Sequence, residues 1–126
     1  MKKTLLIVTA LIEAGAGVAL LGCPSAAVKL LLGSPLDTAA AETLGRVAGV
    51  ALFALGVACW LASGDARSRA ARGLVAAMLV YNFGVAVLLA VAGIQSQTMG
   101  LALWPAVILH AGMAVWCVTR LKPFKE

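Results

Sequence analysis

The chain has 126 residues, 63% hydrophobic and 12% charged, with a net charge of +5 and a mean hydropathy of +1.03. A water-soluble domain carries roughly twice that share of charged side chains, so a soluble fold is excluded and a single membrane-embedded domain over residues 1–126 is expected. The basic residues sit at the ends of apolar runs and form no stripe on a polar face, which excludes nucleic acid as a partner and makes the lipid bilayer the first one.

The first apolar run covers residues 4–22, behind Lys2 and Lys3. At about 1.5 Å of rise per residue it just spans a hydrocarbon core of about 30 Å. Leu20-Leu21-Gly22-Cys23 has the look of a lipoprotein cleavage box, but Glu13 interrupts the uncharged stretch such a signal needs, so the run is read as a helix of the mature protein. Pro24 suits a first helical turn. Residues 25–32, with Lys29 among apolar neighbours, read as a short interfacial helix after the first span. Gly33-Ser34-Pro35 is a turn, and Asp37 or Thr38 can cap a second span over 39–62. Ser63-Gly64-Asp65 closes that helix and caps the next, whose first turns hold Arg67, Arg69 and Arg72 and whose span is 73–94. An uncharged turn at 95–98 leads to a fourth span over 99–121, with Arg120, Lys122 and Lys125 at its end. The fold class expected is all-α: an integral membrane four-helix bundle.

Lys2, Lys3, Arg67, Arg69, Arg72, Arg120, Lys122 and Lys125 fall on one side of this arrangement, while the other side holds Lys29. Cytoplasmic loops carry the excess of Lys and Arg, so both termini are expected in the cytoplasm, N-in and C-in, of a bacterial inner membrane. Trp60 and Trp116 near the inner ends and Trp104 near the outer end read as interface anchors. Helices in lipid associate through small residues. Gly45 and Gly49 of the second span form a GxxxG, Gly15 and Gly17 lie in the first, and Ala106, Gly112 and Ala114 lie in the fourth.

Polar residues where lipid should be are the informative ones. Glu13, Arg46, Asn82 and His110 lie at overlapping depths, one on each span, and are expected to form a buried polar cluster. A charge at the bilayer centre costs roughly 2.5–3.5 kcal/mol on insertion scales, so such residues face the bundle interior and pair. Glu13 with Arg46 is the natural neutral pair. Glu42, one turn before Arg46, is a second acceptor, and Thr9 and Gly17 share the face of Glu13. Tyr81, beside Asn82, either hydrogen-bonds a ligand or packs against neighbouring helices. The cluster itself reads as a register-fixing ion pair with Asn82 and His110 as hydrogen-bonding glue, or as a proton-linked or ligand-binding site.

Specific chemistries find little support. His110 is the one histidine, so a haem would need Met78 or Met113 as its second axial ligand, and Met113, on the same helix as His110, cannot oppose it. Cys23, Cys59 and Cys117 have neither zinc nor disulfide spacing. There is no phosphate loop, HExxH or nucleophile–base pair. No metal, no cofactor and no catalytic residue is therefore expected.

The segment Leu11-Ile12-Glu13-Ala14-Gly15-Ala16-Gly17-Val18-Ala19-Leu20-Leu21-Gly22 resembles the Glu-bearing helix of the DoxX-like small membrane proteins, although in that family it belongs to a later helix. The resemblance covers about a tenth of the chain and implies a four-helix protein of the kind associated, in some members, with membrane-bound oxidoreductases. A carboxylate in the first of four short helices is also similar to the small multidrug resistance transporters, which exchange protons for cationic drugs as antiparallel dimers. Arg46 and the strong charge bias depart from that pattern. The function expected is a non-catalytic accessory, assembly or stabilising subunit of a larger membrane complex, or a self-associating one. The alternative is a small proton-coupled transporter or membrane ligand-binding protein using Glu13 and His110.

Overall fold

The computed structural model describes residues 2–96 and 98–121; Gln97 of the expected turn and the basic residues Lys122 and Lys125 lie outside the described residues. Helix α1 is Lys2–Gly22, α2 Pro24–Leu32, α3 Ala39–Ala62, α4 Arg69–Gln95 and α5 Leu103–Leu121. A 3-10 turn occupies Ser63–Asp65, and the described residues contain no strand. Four of these helices, α1, α3, α4 and α5, are long and apolar enough to cross a membrane.

Local chemistry sets the ends. Pro24 opens α2, where its missing N–H is no loss. Gly33 closes α2 with φ 83°, the left-handed conformation that glycine adopts freely, and its N–H bonds the Lys29 carbonyl at 2.8 Å. Thr38 caps α3, its hydroxyl accepting the Ala41 N–H at 3.1 Å. Two starts differ from expectation. Ser68, not Asp65, caps α4 by accepting the Ala71 N–H at 3.1 Å, so the helix begins at Arg69 and Arg67 precedes it. Helix α5 begins at Leu103 and not at 99, because the residues before it are occupied against α2. The Ala102 N–H bonds the Leu30 carbonyl at 3.0 Å, and Gly100 lies directly on the Leu30 backbone.

The long helices form two antiparallel pairs, α1 with α3 and α4 with α5. The first pair is fused by glycine. A Cβ on Gly17 would stand 2.6 Å from the Phe53 nitrogen, one on Gly49 2.9 Å from the Gly17 oxygen, and one on Gly56 2.8 Å from the Ala14 nitrogen. The backbones are thus in direct contact, the arrangement that gains most from packing when lipid removes the hydrophobic drive. Gly45 serves a different neighbour, facing the Pro24 and Leu36 side chains. Gly15 and Gly112, expected at helix contacts, meet nothing within 4 Å, since each points away from its partner helix.

The two pairs meet through side chains. Leu5, Leu6 and Ala10 of α1, Cys59 of α3, Ala71, Val75 and Met78 of α4, and Met113 and Cys117 of α5 form one buried core at the end where the chain begins. At the opposite end, the contact between α2 and residues 98–102 ties the pairs together, with Gly33 against the Met99 backbone.

Enlarging the fused contact tests this packing. Gly17→Ala and Gly56→Ala should each lower stability by about 1–3 kcal/mol through overpacking, measured by thermal unfolding in detergent. Gly15→Ala and Gly112→Ala should leave the transition unchanged.

Candidate functional site

Glu13 lies on the inner face of α1 with Thr9 and Gly17, and only 2% of its surface is exposed. That orientation follows from the glycine contact, which fixes the rotation of α1 against α3. The Tyr81 side chain of α4 is the polar neighbour of the Glu13 carboxyl. The Tyr81 ring meets the His110 ring of α5 edge to face, with centroids 5.8 Å apart and planes at 78°. His110 Nδ1 in turn lies 2.8 Å from Asn82 Oδ1.

The amide orientation settles the tautomer of His110. Asn82, 1% exposed, donates from Nδ2 to the Met78 carbonyl at 2.8 Å, which turns its oxygen toward the imidazole. An amide oxygen only accepts, so Nδ1 carries the proton and Nε2 is left as the acceptor. Glu13, Tyr81, His110 and Asn82 therefore stand in one row, linked in turn by polar neighbours, a ring contact and a hydrogen bond, that begins on the α1–α3 pair and ends within α4–α5.

Arg46 is not part of it. Its side chain is exposed on α3, and no ion pair joins it to Glu13 among the described residues. The reason is steric and rotational. Gly45, Gly49 and Gly56 define the face of α3 turned toward α1 and the start of α2, where backbones or short side chains touch and an arginine cannot fit. Arg46 stands at the flank of that face, and its depth matches the far end of α1, since Gly49 packs beside Gly17 and Leu21. Glu42, half-buried one turn earlier, lies with Arg46 and away from Glu13. Tyr81, and not Arg46, is thus the polar neighbour of the Glu13 carboxyl.

Trp60 and Trp104 are exposed, and Trp116 is half-buried against the core. Cys59 and Cys117 are fully enclosed in that same core. Neither they nor any other His, Cys, Asp or Glu make a group of three able to hold a metal among the described residues. The residue that mattered without being singled out is Gly56, whose signal was its spacing of seven from Gly49. Comparisons with protein families, with curated proteins and with solved structures find no match to this chain.

Tyr81→Phe should cost about 0.6–2 kcal/mol, the range for interhelical hydrogen bonds in bilayers, in a reversible unfolding titration. Glu13→Gln keeps an acceptor for Tyr81 and should cost less. A double-mutant cycle between Glu13→Gln and Arg46→Leu should give no coupling; a coupling above about 0.5 kcal/mol would restore the ion pair.

Proposed function

We propose that this chain is a non-catalytic plasma-membrane protein with both termini in the cytoplasm, acting as an accessory, assembly or stabilising subunit of a larger membrane complex or of a homo-oligomer. The orientation rests on the charges at the two ends of the bundle. Lys2, Lys3, Arg67, Arg69, Arg72 and Arg120 gather at one end, and Lys29 is the basic residue of α2 at the other. An excess of Lys and Arg marks the cytoplasmic side.

The observation that carries the assembly reading is where the unused surface lies. The polar groups of the interior bond one another. The grooves are on the outside and are apolar: one of about 440 Å³ between α4 and α5, lined by residues such as Phe83, Ala86 and Ala114, and one of about 160 Å³ between α1 and α3. What such a molecule offers to others is its flanks, with shallow furrows and small side chains of the kind that helix–helix association uses in lipid. Purification in a mild detergent should retain stoichiometric partner chains or a defined homo-oligomer. A monodisperse single chain that supports its cellular role without partners counts against assembly.

A second reading is favoured by one specific feature. Among the described residues no cation pairs with Glu13, and Tyr81 lies between its carboxyl and the His110 ring at the boundary between the two helix pairs. A small proton-coupled transporter or membrane ligand-binding protein would use those two groups. In reconstituted vesicles, Glu13→Gln should then abolish proton-linked uptake while leaving the helical fold intact; unchanged flux removes this reading.

A further inference from the structure

Glu42 and Arg46 stand one turn apart on the same side of α3. Arg46 lies about 10 Å, seven residues, inside the start of its helix and is exposed on the flank that a bilayer would cover. Neither side chain has an ion-pair or hydrogen-bond partner among the described residues. Charged residues at that depth almost always pair, and among the described residues Arg46 forms no ion pair.

Further along the same side of α3, Val50, Phe53 and Val57 are all exposed and continue the column as an apolar ridge. Immediately beside the ridge runs the groove between α1 and α3, floored by Ala10, Ala14 and Gly56. Ridge and groove side by side, with an acid and a base one turn apart above them, make a surface that is complementary to itself.

The geometry points to this flank of α3 as the interface with a second copy of the chain, related by a two-fold axis along the membrane normal. The inference rests on the lateral-assembly reading and names its partner. In a two-fold contact each residue meets its counterpart set reciprocally. The ridge of each copy enters the groove of the other. Arg46 of each, inclined toward the membrane surface as long cationic side chains are, pairs with Glu42 of the other, about 6 Å higher along the helix. A lipid phosphate would answer Arg46 and leave Glu42 without a cation. A second copy answers both charges at once.

Two differently tagged full-length chains test this. Glu42→Arg makes the column doubly positive, and Arg46→Glu makes it doubly negative. Each variant alone should lose self-association at least tenfold relative to the wild type, read by co-purification in mild detergent or by energy transfer in vesicles. Mixing the two should recover association to near the wild-type level, a result that an ion pair within one helix cannot give. Helical content and thermal unfolding establish that each variant is folded. Should one fail that control, Glu42→Gln combined with Arg46→Gln takes its place and should lower self-association by the same factor. The proposal is overturned if the wild type is monomeric, if the variants associate as well as the wild type, or if the mixture does no better than its components. A wild type that purifies with a different protein and never with its own copy would sink this pairing and leave the accessory-subunit reading standing.

Discussion

Backbone contact between α1 and α3, made possible by Gly17, Gly49 and Gly56, is the constraint from which the other features follow. In lipid the tails compete equally for apolar side chains, so helices gain from association chiefly by close packing and interhelical hydrogen bonds. Three glycines spaced along two antiparallel helices let main-chain atoms touch over much of their length. That contact sets both register and rotation, because a helix gripped at several points cannot turn. Glu13 is carried to the inner side and Arg46 to the outer flank by the same rotation.

The second pair is joined differently. Asn82 and His110 bridge α4 and α5 through a hydrogen bond of 2.8 Å, and the Arg72 guanidinium donates to the Leu121 carbonyl at 3.3 Å near the other end. Between the pairs, backbones stay further apart and the contact is made by the Leu5, Val75, Met78 and Met113 core together with the approach of Tyr81 to Glu13. The bundle is thus two tight halves and one side-chain seam, clasped at the far end where Ala102 bonds Leu30. A polar tie in such a seam is specific in a way that apolar contacts are not, since a slip of α1 would leave a carboxyl unsatisfied in hydrocarbon. Glu13 and Tyr81 therefore hold the halves in register whatever else they do.

A molecule built this way has little to offer in solution and much along its sides. The interior polar groups are engaged with one another, while Leu11, Val50, Phe53, Leu88 and Ile108 face outward. Exposed apolar side chains need no partner in lipid, but an exposed arginine does. Arg46 is therefore the outward-facing charge on which the proposed pairing of two copies rests.

Span number, apolar length and the polar residues of interest were legible from residue type, because a bilayer imposes length and polarity rules that act locally on each segment. The α2 helix could be read from Pro24 and Gly33, and the capping of α3 from Thr38, each a device that works within a few residues. The starts of α4 and α5 could not: Asp65 was read as the cap that Ser68 in fact provides, and only the docking of Gly100 on Leu30 shortened α5. Nor could the partner of Glu13. Charge alone favoured Arg46, but which residue reaches a carboxyl across the bundle depends on helix rotation, and rotation was decided by glycines that pack backbone on backbone. Depth in the membrane belongs to the sequence, because it is counted along one helix. Direction around each helix belongs to the tertiary structure, because it is settled between two.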